Sequence, residues 1–251
     1  MKTRDVLKGI LLLCVFGFTT MVSAEEIYYV NDNGVEFTQF QYETLSEFIG
    51  EENVKTYTQA EFDQMEIGNM TEENTTYTIL EDNKIEDSAS GITTYGAAHE
   101  TASKRLTLSS TCTSSYCTMT TYLNWKTNPK VRSYDVIGVR ILGCQFYDTT
   151  AGTTLKSGGK AYGYEAKVTA SNGIGSVVKL TTGDVEYVQQ LTRVKKGSGT
   201  VFASYQHSVK SISLATAKNF TFSGAGPGSV FNWSNNDLFD QMGGVSLAVQ
   251  G

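Results

Sequence analysis

From His99 onward, apolar and polar positions alternate in short runs separated by Gly-, Asn- and Ser-rich turns. Leu106, Leu108, Ser110 and Cys112 fall on one face of 105–112, and Cys117, Met119, Thr121, Leu123 and Trp125 on one face of 117–125. A period of two is the signature of a strand with one buried face. The same reading predicts strands at 131–142, 161–170, 176–181, 185–191, 200–209, 211–214, 219–223, 229–233 and 245–249, with one helical turn at Leu238, Phe239 and Met242. Many short strands at this spacing predict a mainly β fold. We expect an antiparallel β-sandwich, or a barrel-like variant, as a C-terminal domain over 98–251.

The N-terminal pattern differs. Two β-prone runs in 27–37 flank Asn33-Gly34, a step that tolerates the positive φ of a tight hairpin. Phe40, Tyr42, Leu45, Phe48 and Ile49 then recur at helical spacing behind Thr38, a capping residue, and Gly50 ends the run. Thr58 followed by Glu61 makes a capping box ahead of Phe62 and Met65. Residues 25–66 therefore read as a small α+β segment, a hairpin plus two short helices, too small to be very stable alone. Residues 67–97 are polar and acidic with one strand candidate at 77–80, and read as an exposed linker.

The first 24 residues change the picture of where this fold works. Lys2, Arg4 and Lys8 precede an apolar run, and Val22-Ser23-Ala24 supplies small residues before Glu25. This is the pattern of a signal peptide cut after Ala24, so the mature chain is expected to be secreted or extracellular. Charge is divided unevenly. Residues 25–97 carry 17 Asp/Glu against Lys55 and Lys84, whereas 98–251 carry 15 Lys/Arg against 8 Asp/Glu, so a net −15 faces a net +7. The acidic part reads either as a solvated segment or as an arm resting on a basic domain until displaced.

Three cysteines remain after export. Pairing the strands about the loop 113–116 sets 112 opposite 117, 110 opposite 119, 108 opposite 121 and 106 opposite 123, with every pair on the same apolar face. That register predicts a Cys112–Cys117 disulfide, worth about 2 kcal/mol for so short a loop. A bridge from Cys144 to either member is the alternative.

Candidate chemistry is sparse. His99 opens "HETAS" but lacks the second His of a zinc-protease helix. His207 shares its phase with Val201, Ala203, Tyr205 and Val209, the pattern of a hydrogen-bonded sheet residue. Gly224-Ala225-Gly226-Pro227-Gly228 reads as a turn between strands, since no helix follows it. Asn235, Asn236, Asp237 and Asp240 do not match calcium-loop spacing. Asp135, Asp148, Glu165, Asp184 and Glu186 offer acids for glycoside hydrolysis, with nothing to choose a pair. No catalytic signature, metal site or cofactor is expected.

The stretch 127–143 holds the sharpest question. Ile137, Val139 and Ile141 share a phase with Val131, Ser133 and Asp135, and Arg132, Tyr134 and Arg140 share the other. Asp135 is costly to bury alone, so we expect a bulge, or pairing with Arg132 or Arg140 near a sheet rim. Lys126, Lys130, Arg132, Tyr134 and Arg140 are the candidate binding residues, and Arg193, Lys195 and Lys196 form a second basic cluster. Export argues against nucleic acid and for an anionic cell-wall polymer, polysaccharide or membrane surface as partner.

The runs "YYVNDNGVEFTQFQYETLSEF" (28–48) and "LNWKTNPKVRSYDVIGVRI" (123–141), with an acidic stretch between them, resemble a group of uncharacterised secreted proteins of Gram-positive bacteria. The resemblance covers nearly the whole mature chain and implies an exported bacterial origin, with no activity or site attached. The leading expectation is a secreted binding or surface-interaction module with an acidic pro-like or regulatory N-terminal segment. The alternatives are an extracellular hydrolase on a polysaccharide or peptide, and a membrane-active, pore-forming protein using 200–223 as an amphipathic hairpin.

Overall fold

The computed structural model describes residues 26–81, 104–149, 152–223, 230–240 and 242–249. The architecture is mainly β with a small helical part at the N-terminus. The first hairpin, β1 (Tyr29–Val30) and β2 (Glu36–Phe37), turns through Gly34 at φ 76°. Helix α1 (Gln39–Ile49) starts at Thr38 with a complete capping box to Gln41 and ends at Gly50. Helix α2 (Glu51–Lys55) follows directly, and α3 (Gln59–Gln64) starts at the expected Thr58–Glu61 capping box. A 3-10 turn, Ile67–Asn69, leads into β3 (Thr75–Glu81).

The remaining strands are β4 (Lys104–Cys112), β5 (Tyr116–Trp125), β6 (Tyr134–Leu142), β7 (Gly152–Ser157), β8 (Lys160–Tyr162), β9 (Ala166–Ala170), β10 (Gly173–Lys179), β11 (Val185–Lys195), β12 (Gly199–Gln206), β13 (Phe220–Phe222), β14 (Phe231–Trp233) and β15 (Val245–Val249). Helix α4 (Leu214–Ala217) interrupts them. Two open antiparallel sheets result, six strands in the order β3-β4-β5-β11-β7-β8 and five in the order β15-β12-β6-β10-β9. The barrel-like variant is not formed, because each sheet keeps two edges.

Both faces of both sheets carry large apolar side chains. Met119, Leu123 and Val188 of the six-stranded sheet meet Ile137, Val139 and Val201 of the five-stranded sheet in the central core. On the outer face of the six-stranded sheet, Tyr122, Tyr187 and Leu191 pack under Leu45, Phe48, Ile49, Val54 and Tyr57. On the outer face of the five-stranded sheet, Val136, Val177 and Phe202 pack under α4 and the β13–β14 hairpin through Ala217, Phe220, Phe231 and Trp233. The chain thus stacks four layers: helical unit, sheet, sheet, hairpin.

Three expectations need correction. Residues 67–81 are not linker. Ile67 and Met70 are buried, and β3 pairs with β4 from Thr75↔Thr111 to Glu81↔Arg105. The expected linker residues 82–97 lie outside the described residues. The acidic segment does not stand apart either. Burying one large apolar side chain contributes about 1.5–3 kcal/mol, against about 0–1 kcal/mol for an exposed ion pair. Packing of Leu45, Phe48, Ile49 and Val54, each fully buried, therefore outweighs any surface charge attraction. Finally, 200–223 is no hairpin: β12 lies between β6 and β15, 211–213 is not strand, α4 follows, and β13 pairs with β14.

The hairpin layer sits close because the strands beneath it carry glycine. A Cβ on Gly138 would lie 2.6 Å from the Ile174 carbonyl oxygen and 2.9 Å from the Phe231 ring. The carbonyl belongs to a paired strand and cannot retreat. Gly138→Ala is expected to destabilise the fold by about 1–3 kcal/mol, the usual range for overpacking, read as a lowered denaturant midpoint with unchanged slope.

Candidate functional site

Asp135 is the second residue of β6 and faces the space between the sheets, fully buried. The pairing of β6 with β12 brings Tyr205 opposite Ile137 and Gln206 opposite Val136, so the end of β12 delivers 205–208 to the carboxylate. His207 Nδ1 lies 2.9 Å from Oδ2 and 3.0 Å from Oδ1. The Tyr205 hydroxyl donates to Oδ2, and the Ser208 backbone N–H donates to Oδ1 at 3.0 Å. Burial, followed by the Asp135 charge, pushes the Tyr205 hydroxyl well above its ordinary pKa. The carboxylate is thus satisfied without arginine, contrary to the sequence expectation. Arg132 donates to the Thr181 and Gly183 carbonyls, and Arg140 lies over the Phe202 ring on the opposite face of the sheet.

A lysine and a second aspartate adjoin this group. Lys104 opens β4 opposite Trp125, on the same phase as Leu106 and Leu108, and its side chain is sealed from solvent. Its Nζ contacts Asp240 Oδ2 and lies 5.3 Å from the Trp125 ring centroid. Asp240 is fixed from both sides. Its Oδ1 accepts the His207 backbone N–H at 2.9 Å, and its own N–H donates to the His207 carbonyl at 2.8 Å. The His207 ring stands edge-on to Trp125, 5.0 Å between centroids. Burial raises the Asp240 carboxyl pKa against the lowering pull of Lys104. Acid, amine and imidazole are therefore gathered in a dry space where they can act on one another.

Two clefts open elsewhere. One of about 870 Å³ lies between the first hairpin and the loop at 70–73, and one of about 510 Å³ beside Thr58 and Gly159; neither is lined by any member of the buried cluster.

The five sequence-derived binding residues are not brought together. Lys126 and Lys130 are exposed on the loop joining β5 to β6. Arg132 is half-buried, tied to the 181–183 turn as described. Tyr134 is half-buried with Lys179 over its ring, and Arg140 is buried under the hairpin layer. In the second cluster, Arg193 pairs with Glu66 and Asp148.

The remaining candidates separate as well. The Cys112–Cys117 bridge forms in the expected register, and Cys144 is free and half-buried. Asp184 accepts from Asn128, and Glu186 accepts from the Gly159 N–H. His99 and the glycine-rich 224–228 lie outside the described residues. Among the described residues no cluster of metal-ligating side chains occurs.

A second buried pair locks the acidic layer to the sheet. Lys156 Nζ lies 3.1 and 3.2 Å from the two Glu61 carboxylate oxygens, and Tyr187 donates to Glu61 at 2.7 Å. Burial alone raises the Glu61 pKa. Hydrogen bonds from Thr58 and Tyr187 and the Lys156 charge outweigh it and hold the carboxyl below its ordinary value. Lys104 escaped the sequence reading, although a lysine on the phase of Leu106 and Leu108 was a readable sign of an inward-facing amine, and Asp240 was weighed there only as a calcium-loop ligand.

No known protein family and no curated protein matches the chain. Among solved structures, the collagen-binding domain of a Staphylococcus aureus adhesin aligns at 8% identity and TM-score 0.33, covering 55% of this chain and 89% of that one. The pilus backbone RrgB of Streptococcus pneumoniae aligns at 15% identity and TM-score 0.26, covering 38% of this chain and 25% of that one. AvmM, which catalyses macrocyclization in alchivemycin A biosynthesis, aligns at 10% and 0.22 over 54% of this chain and 80% of that one. Likeness at these scores says nothing about what this chain binds.

Lys156→Met is expected to cost about 3–5 kcal/mol by stranding the Glu61 charge, and Glu61→Gln in the same chain to recover part of it. Because the folded Glu61 pKa is depressed, its contribution is complete above the unfolded carboxylate value near 4.3 and is lost as pH falls through the folded value. Denaturant titrations from pH 6 to pH 3 are expected to show a steeper loss for the wild type than for Glu61→Gln.

Proposed function

We propose that this chain is a secreted, non-enzymatic surface-interaction module that engages an anionic cell-wall polymer through the loop between β5 and β6. One observation carries the reading: Lys126 and Lys130 are presented to solvent on a loop that is braced rather than loose. Arg132 donates to the Thr181 and Gly183 carbonyls at 3.2 and 2.9 Å. Asn128 donates to Asp184 at 2.7 Å and accepts from the Val185 N–H at 2.8 Å. A braced loop loses little conformational freedom when a charged polymer docks, so more of the electrostatic attraction survives as affinity.

The signal-peptide pattern and the disulfide support an extracellular setting. The acidic segment is in this reading a permanent layer of the fold, not a displaceable arm. Arg140 and Tyr134 leave the binding set, being covered by the hairpin layer and by Lys179.

The test is retention of the intact mature protein on immobilised poly(glycerol phosphate), with neutral dextran as control. Binding to the polyanion alone is expected, weakening steeply with salt. Lys126→Ala with Lys130→Ala is expected to reduce affinity about thirtyfold, as each lysine near an anionic surface contributes about 1 kcal/mol. Absence of retention, or retention indifferent to salt and to both substitutions, overturns the proposal.

A further inference from the structure

Two buried lysine–carboxylate pairs among the described residues are built differently. In Glu61–Lys156 the amine faces both carboxylate oxygens and the Thr56 carbonyl, while Thr58 and Tyr187 feed further hydrogen bonds to the acid. Those contacts stabilise a charged carboxylate, and its pKa is lowered accordingly. In Lys104–Asp240 the amine contacts Oδ2 beside the Trp125 ring. The other oxygen accepts one backbone N–H, and burial keeps the acid's pKa above its ordinary value. A dry site of this kind penalises separated charge. Moving one proton from Nζ to Oδ2 turns the ion pair into a neutral amine touching a neutral carboxylic acid.

We propose that Lys104 and Asp240 condense into an intramolecular amide, an isopeptide cross-link between the first residue of β4 and the segment preceding β15. The Lys104 Nζ lone pair attacks Asp240 Cγ, and a C–N bond forms. The Cγ–Oδ2 bond breaks, and Oδ2 leaves as water with one proton from the acid and one from the amine. No oxidant, reductant or second substrate takes part. Oδ1 remains as the amide carbonyl, and the His207 N–H at 2.9 Å polarises it as charge develops during attack.

Proximity supplies the rest. The two groups are held in contact by the β4–β5 pairing on one side and by the reciprocal 207–240 backbone hydrogen bonds on the other. Such fixed geometry makes an otherwise sluggish amide condensation effectively unimolecular. Exclusion of water, with both side chains almost wholly buried, disfavours the reverse hydrolysis. Asp135 is a positioning residue here: it fixes His207 through Nδ1 and Ser208 through its N–H, and so aims the donor at Oδ1.

The test is the intact mass of the secreted chain after reduction, with its N-terminus fixed by sequencing. The expected mass is lower than the composition by one water, and only one, since Glu61–Lys156 stays an ion pair. A tryptic digest is expected to yield one branched peptide joining Lys104 to Asp240, with trypsin unable to cut after Lys104. Asp240→Asn is expected to form the same bond and lose ammonia instead of water. Lys104→Arg is expected to show its full mass. A wild-type mass equal to the composition, or a digest with free Lys104 and Asp240 peptides and no branched one, overturns the proposal, and neither result depends on a variant folding.

Discussion

Two antiparallel sheets that are apolar on both faces cannot stop at a two-layer sandwich. The inner faces satisfy each other through Met119, Leu123, Ile137 and Val139. The outer faces still present Tyr122, Tyr187 and Leu191 on one side and Val136, Val177 and Phe202 on the other. Left bare, those patches favour aggregation. The chain therefore spends its N-terminal residues on a helical cover and its C-terminal residues on an aromatic hairpin. The buried ion pair under α3 and the glycines under Phe220 and Phe231 follow from seating those covers closely.

The acidic composition of the first layer takes its meaning from this arrangement. Its acids face outward except where the sheet offers a base: Glu61 reaches Lys156 and Glu66 reaches Arg193. Among the described residues the charge asymmetry is thus expressed across the interface at the Glu61–Lys156 and Glu66–Arg193 pairs, on top of a much larger apolar contact. It orients the layer more than it holds it. Reactive groups and accessible charges also end in different places. Lys104, Asp240, His207 and Asp135 lie buried between the sheets, while Lys126 and Lys130 meet solvent.

What was legible in the sequence was what is local. The β4–β5 hairpin, its register and its disulfide followed from alternation about a short loop, and both capping boxes followed from Thr38 and Thr58 with the residues after them. What was not legible depends on partners far along the chain. Thr75–Glu81 showed only as a strand candidate at 77–80 inside a stretch read as linker, because its polar residues gain an edge position only when β4 is beside it. Gly152–Ser157 has too little alternation to announce β7, which exists by pairing with β11. Asp135 was placed correctly on the inward phase, yet its partners, Tyr205, His207 and Ser208, come from β12 and the residues after it, and no local rule selects them over nearby arginines. Strand alternation marked which way Lys104 faces but not what it meets.

The account stands on the helical unit being one folded body with the sheets. Hydrogen–deuterium exchange read by mass spectrometry tests this most directly, comparing amides of α1 and α3 with those of β5 and β11. The account predicts protection of the same order in all four, lost together as denaturant is added. Fast exchange through α1 and α3 while β5 and β11 stay protected would contradict it.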